Sequence, residues 1–463
     1  MIHLSRPKAK PALPTEKKEI AKKLWTLSYP TMISFGLESF YDIVDMAWVG
    51  QISPESLSGV TIFSTIYMLF TVLNEVAGDA SISLISQYYG RGDKETTQRV
   101  AEQTISFKIV LAFISMALLL IFIRPVMEFY TDDPKVISEA LSYGYIRIFF
   151  IPVLFALYSV NTIFRCTQDS ITPMKIMLIS AILNLILDPI LMFETVPFLG
   201  IPGAGLGVLG AAWATILASA AAFIYGFTIL ATGRRKVRIS IPGLFRLDKT
   251  IDKKLLFIGI PSGVQFFIRQ FFNAAMVKFV AVYGTTAIAL AGINGKLNGF
   301  ALMPIFGLTM AGSTLVGAAL GENRIKEAEL VTKVGALVNL IIVGSLSLLI
   351  AIFARPIMSL FSQDPMIVDN GIPMLWIMAV DLPLLAYCFG HKVVFSGSGY
   401  NRPKLIATLG STWLVHLPVV LVMIYVLQVP ILIFWTSYLF ADTADLLITL
   451  YYYNQPTWRF NRV

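Results

Sequence analysis

The sequence predicts an all-α integral membrane protein with twelve transmembrane helices in two pseudo-symmetric six-helix bundles. Three observations carry that prediction. Of 463 residues, 56% are hydrophobic and only 14% charged, whereas a soluble domain holds about a quarter charged residues. Apolar runs of roughly 20 residues recur from end to end, each long enough to cross a hydrocarbon layer about 30 Å thick. These runs are continuous, as in ALLLIFI and LVNLIIVGSLSLLIAIF. They therefore read as helices and not as the alternating strands of an outer-membrane barrel. Finally, the second half of the chain echoes the first.

In chain order, residues 1–23 are basic and polar, with no apolar stretch before a small-residue cleavage site. They read as a cytoplasmic tail and not as a signal peptide. Helices 1–6 are expected near 24–49, 57–81, 101–123, 139–164, 172–193 and 206–231, forming an N-lobe over 24–232. A basic linker follows at 233–254. Helices 7–12 are expected near 255–282, 288–316, 329–353, 371–396, 404–427 and 430–453, a C-lobe over 255–453, before a tail at 454–463. Of the 36 Lys and Arg, three fall in the loops of one face (Arg124, Lys135 and Arg355) and nine inside the expected helices, leaving 24 at the face that holds both tails. That bias orients the chain with both termini cytoplasmic in a cell inner membrane. It also makes the linker a surface for anionic lipid and not a nucleic-acid site. Cys166 and Cys388 lie in or beside apolar runs and offer neither a disulfide framework nor metal-ligand spacing.

The repeat has an offset of about 231. IFIRPVMEFYTDDP at 121–134 returns as IFARPIMSLFSQDP at 352–365, with seven of fourteen positions identical. The same shift pairs Pro30 with Pro261, Gly90 with Gly321, and Pro152 with Pro383; one residue less pairs Pro173 with Pro403. An offset carrying six helices, an even number, puts corresponding loops on one side, so the halves are parallel repeats. Folds of that kind rock their halves around a mid-membrane site.

Charges at membrane depth cost about 2.5–3.5 kcal/mol each on insertion scales and call for a reason. On helix 1, Glu38, Asp42 and Asp45 are spaced four and three apart, which puts all three on one stripe. Poorly solvated and mutually repelling, at least one should hold a proton near neutral pH. The alternative is a stripe facing solvent near a helix end. On helix 5, Asn184 and Asp188 share a face beside Pro189, either as a proton site or as a pair sealing the proline kink. Thr215 on helix 6 can bond across to helix 5 or back to its own helix. Glu75 and Asp79 on helix 2, one turn apart, either line a cavity or mark a shallow helix end, the second being the preferred reading. The buried cations Arg269, Lys296, Lys392 and His391 read as snorkelling or structural groups, with Asp381 as a partner.

Other chemistry is missing from the sequence: no GxxxxGKS loop, HExxH, GxSxG or Cys/His cluster is present. Gly205, Gly207 and Gly210 form a G-x-G-x-x-G, but it follows no strand and opens a membrane helix, so it reads as an external turn. No cofactor and no metal is expected, and without a phosphate-cradling loop the energy source is an ion gradient. An intramembrane enzyme would need a nucleophile–base pair that the sequence lacks, and the twofold repeat disfavours a channel.

The residues resemble a known family. YDIVDMAWVG on helix 1, LNLILDPI on helix 5 and VLGAAWATILA on helix 6 are similar to signatures of the multidrug and toxic compound extrusion (MATE) transporters, DinF-like prokaryotic branch. The resemblance implies a MATE-like fold in which Asp45, Asn184, Asp188 and Thr215 form a polar N-lobe network. It also implies that Tyr145 joins this network as the family's helix-4 tyrosine. It implies H⁺ coupling, with Na⁺ at Asp45, Asn184, Asp188 and Thr215 as the alternative, and bending of helix 1 at a proline, for which Pro30 is the candidate. The departures are Asp42 where the family has asparagine, the extra Glu38, Gln168 where a glycine is usual, and Arg269 where the NorM-like branch has glutamate. By the repeat, Asp45, Asn184 and Asp188 align with Met276, Leu414 and Pro418, so coupling chemistry is expected in the N-lobe alone. The expected activity is antiport of small organic cations or amphipathic drugs by a monomer among membrane lipids. The runners-up are a Na⁺-coupled relative and a lipid-linked precursor flippase, whose usual cationic cavity fits poorly with an acidic helix 1.

Overall fold

The computed structural model describes residues 14–461 and 463. Among them the chain is helical, apart from loops and one isolated bridge between Thr195 and Pro202. Nine of the described helices are long and apolar enough to cross a membrane singly. They are helix 3 (Lys94–Tyr130), helix 5 (Ile171–Met192), helix 6 (Val208–Thr232), helix 7 (Lys249–Ala281) and helix 8 (Thr285–Gly321). Helix 9 (Ile325–Ile352), helix 10 (Pro365–Ser398), helix 11 (Arg402–Val426) and helix 12 (Ile431–Asn454) complete the nine. Two crossings are bent pairs: helix 2 (Pro54–Phe70 and Val72–Gly90, 45°) and helix 4 (Pro134–Phe149 and Ile151–Cys166, 53°). Helix 1 (Pro14–Ile52), the most heavily charged along its apolar stretch, makes twelve.

The observed ends overrun the expected ones most at helices 1 to 3, where polar residues outside the hydrocarbon zone remain helical. Residues 1–13 of the expected first tail lie outside the described residues, as does Arg462, while Pro14 onward already belongs to helix 1. The bend in helix 4 falls just before Pro152, which has no N–H to continue the ladder. In helix 2 the break is at Thr71, whose hydroxyl bonds the Met68 carbonyl at 2.7 Å and competes with the helix for it.

The repeated motif has a local physical cause. Thr131 and Ser362 leave their helices in nearly identical extended conformations (φ −154° and −153°). Each hydroxyl accepts the amide of the aspartate two residues on. Asp133 and Asp364 then cap the next helices through the amides of Lys135 and Met366, each at 2.9 Å, with Pro134 and Pro365 in the first turn. A stop, a cap and an N1 proline recur because each half needs the same tight reversal.

Both described ends and the linker lie on one face, here the linker face. The apolar core divides accordingly. Toward the opposite face, one cluster is built from helices 1–6 (Val49, Phe63, Leu119, Tyr143) and another from helices 7–12 (Phe272, Leu290, Met358, Leu382). Near the linker face the clusters are shared. Ile251 and Leu255 of helix 7 pack with helices 2 and 3, while Ile20 and Leu24 of helix 1 pack with helices 8 and 9. The two halves therefore grip each other at the linker face and separate toward the other. The seam is tight: a Cβ on Gly90 would strike the backbone of Ala318, and one on Gly321 the backbone of Gln87. On the same helix as Gly321, a Cβ on Gly292, Gly295 or Gly299 would meet nothing within 4 Å, and the last two line the cavity between the helices.

The linker is clamped to helix 3. Glu102 accepts the amide and hydroxyl of Ser240 (2.7 and 2.9 Å), Ser106 donates to the Leu244 carbonyl (2.5 Å), and Arg99 pairs with Asp248 (2.9 Å).

These glycines make one prediction. Gly90→Ala overpacks the seam and should cost about 1–3 kcal/mol, read as a lower Tm in detergent. Gly292→Ala, facing open space, should hold or raise Tm by helix propensity, about 1 kcal/mol at most.

Candidate functional site

Within helices 1–6, four elements converge on a buried polar centre. Helix 5 brings Asn184 and Asp188 one turn apart, and the Asn184 amide donates to Asp188 Oδ1 at 3.1 Å. Helix 1 contributes Asp45, within electrostatic reach of Asp188 and of Arg147 on helix 4. All three side chains of the Asp45–Asn184–Asp188 group are buried. Among the described residues, Asp45 Oδ1, Asp188 Oδ2 and Asn184 Oδ1 have no hydrogen-bond partner. Such oxygens are expensive to leave bare in a low-dielectric interior. Thr215 is buried nearby on helix 6, but its hydroxyl bonds back to the Ala211 carbonyl at 3.0 Å, the local one of the two expected alternatives.

Arg147 is held between two aromatic rings, 5.5 Å from the Tyr67 centroid and 5.7 Å from that of Tyr143. Tyr143 is 4% exposed and lies within electrostatic reach of Asp45, Asp42 and Asp188. Tyr145, the tyrosine expected here, is 37% exposed and turns away from Tyr143 and Arg147. Two residues are about 200° of helix, so both cannot face the centre.

The acidic stripe of helix 1 is divided among different partners. Asp45 points into the bundle, whereas Asp42 is exposed to the cleft, within reach of Lys296 on helix 8. Glu38 accepts a hydrogen bond from the Tyr158 hydroxyl at 2.8 Å and faces Arg165, which stacks over Phe35 at 5.1 Å.

A second polar region surrounds a cavity of about 750 Å³, bordered by helices 2, 7, 8, 10, 11 and 12. Lys392 pairs with Asp445 at 2.6 Å, and Arg269 approaches the same oxygen at 4.0 Å. Both cations lie over the Phe389 ring. Asp381 does not pair with these cations; it meets Asp442 instead. His391 leans on the Tyr387 carbonyl. Glu75 and Asp79 also line this cavity, the less favoured of the two expected alternatives. Helix 11 widens into π-turns at Gly410–His416, which sets His416 against the rings of Phe272 and Tyr438.

A family model, MatE, matches residues 30–190 and again 261–422. The second match starts 231 residues after the first (261 against 30), the same offset as the internal repeat.

The chain belongs to the MATE family.

It is 26% identical over 459 residues to a probable multidrug resistance protein, YoeA, of Bacillus subtilis, covering 96% of both chains. It is 25% identical over 455 residues to a probable multidrug resistance protein, NorM, of Thermotoga maritima, covering 95% of this chain and 94% of that one. Its fold superposes on the outward-facing conformation of a multidrug resistance MATE family transporter with a TM-score of 0.86 at 21% identity, covering 96% and 98%.

Sequence reasoning missed four charged or phenolic groups of this MATE protein: Tyr143, Arg147, Asp442 and Asp445. The second half also carries carboxylates at membrane depth, Asp381 on helix 10 and Asp442 and Asp445 on helix 12. Helical spacing alone does mark Asp442 and Asp445, three apart, as one face of helix 12.

The Lys392–Asp445 pair, about 3% exposed on each side, makes a second prediction. Lys392→Met strands a buried carboxylate and should destabilise by about 3–5 kcal/mol. Lys392→Met combined with Asp445→Leu should recover most of that loss, both read by thermal unfolding in detergent.

Proposed function

We propose that this protein is a secondary active antiporter that exports cationic or amphipathic organic compounds across the cytoplasmic membrane in exchange for H⁺. The observation that carries this reading is the set of three buried oxygens, on Asp45, Asp188 and Asn184, that no donor among the described residues satisfies. A bound proton on either carboxyl supplies the missing donor, and its departure restores charge to the same place. The linker face, with its excess of Lys and Arg, is the cytoplasmic one, so the cleft opens outward. External protons reach Asp188 and Asp45, with Tyr143 and Arg147 setting the local field. Loading them weakens the hold on a cation in the cleft, where Asp42 and Glu38 add negative charge. The protein works as a monomer among lipids.

Na⁺ is the second reading, favoured by the same oxygens, which are acceptors that suit a hard cation.

Efflux of a fluorescent organic cation from everted vesicles tests both. A protonophore should abolish export and a sodium ionophore should not; the reverse result refutes H⁺ coupling. Asp45→Asn and Asp188→Asn should each lose most export, and normal export by both would remove the site from the mechanism.

The two tyrosines give a separate test. Tyr143→Phe removes a hydroxyl beside charged groups, worth about 1.5–3 kcal/mol, and should slow export by about tenfold or more. Tyr145→Phe should leave it unchanged.

A further inference from the structure

Asp79 of helix 2 reaches across the seam and is held there by groups of the second half. Lys404 of helix 11 donates to its Oδ2 at 2.6 Å, and Ser262 of helix 7 donates to the same oxygen at 2.5 Å. Ser396 of helix 10 accepts from Lys404 at 2.9 Å. One element of the first half is thus tied to three of the second. The link sits on the linker-face side of the cavity, and Asp79, Ser262 and Lys404 are also among the residues that line it. The same groups therefore close the floor and face whatever enters.

The fold does not require an ion pair here. By the repeat, Asp79 aligns with Met310 and Lys404 with Met174. Met310 packs as an ordinary apolar contact against the shared core on the other side of the seam. Where the symmetry-related contact is apolar, this one is ionic. A buried ion pair contributes little net stability, yet breaking it exposes an unmatched charge, so its opening depends on a replacement partner. A cation in the cavity is such a partner for Asp79. Glu75, one turn away and within reach of Lys108, adds to the negative potential on that wall.

We propose that Asp79 and Lys404 form an ionic latch on the linker face, and that a cationic cargo opens it by taking Lys404's place on Asp79. This rests on the proposed export reading for the class of cargo. The latch itself is independent of that reading.

The test uses sided labelling in full-length protein in membrane vesicles. Ser86 is buried in the seam beneath Gly317, so Ser86→Cys, in a Cys166→Ser/Cys388→Ser background, reports opening at the linker face to a membrane-impermeant maleimide. Asp79→Asn and Lys404→Met should each raise the labelling rate severalfold, and Asp79→Lys with Lys404→Asp should return it toward the parent. Tetraphenylphosphonium should raise labelling severalfold in the parent and have no further effect in Asp79→Asn. Labelling indifferent to both neutralisations overturns the latch. An equal response to tetraphenylphosphonium with and without the Asp79 charge overturns its opening by cargo. Absence of cation export with labelling as expected counts against the export reading and leaves the latch standing.

Discussion

Charge inside a hydrocarbon layer is the constraint on which the rest of this structure depends. A buried ion must find a counter-ion, an aromatic face or a polar cavity, or it will not stay. Lys392 finds Asp445, Lys404 finds Asp79, and Arg147 lies between Tyr67 and Tyr143. Seen this way, the helices are arranged as much by where their charges can rest as by which apolar faces match. In the Asp45–Asn184–Asp188 group, three unpartnered oxygens lie together on helices 1 and 5, a local deficiency of donors.

The division of the core gives the deficiency something to act on. Two apolar clusters belong to one half each and two are shared across the linker face. Close packing makes each unshared cluster stiff, since moving side chains within it forfeits dispersion contacts. Relative motion is then cheapest at the shared seam, where helix 1 meets helix 8 and helix 7 meets helix 2. These contacts rely on glycines such as Gly90, Gly259 and Gly321, which let backbones touch without interlocking side chains. A seam of that kind can part and re-form without unpacking either half.

What could be read from the sequence follows the range of the forces involved. Helix positions were legible because hydrophobicity over 20 residues is local, and the repeat because its loudest segment is a stop, a cap and a proline, all local chemistry. Asp45, Asn184 and Asp188 stood out because polar atoms in apolar runs are rare. Tyr143 did not, since choosing it over Tyr145 requires knowing how helix 4 is rotated beyond its bend at Pro152. The pairing of Lys392 with Asp445, 53 residues away, and of Lys404 with Asp79, 325 away, depends on packing between helices. Spacing along one helix cannot specify it. Helix 1 shows the limit well: one stripe of three carboxylates is visible, but not that Tyr158, Lys296 and Arg147 would divide it.

The two halves share a backbone plan but resolve their charges differently. In the second half a lysine and an arginine converge on Asp445, and Asp381 and Asp442 face each other. In the first half the carboxylates outnumber the donors that reach them. A gradient-driven machine needs one place whose charge changes between states and surroundings whose charges do not, because a change everywhere would steer nothing. Duplication supplied two equivalent bundles. The substitution of Met276, Leu414 and Pro418 for Asp45, Asn184 and Asp188 made them inequivalent. On the proposed reading, that asymmetry lets a proton bound in one bundle bias the angle between both.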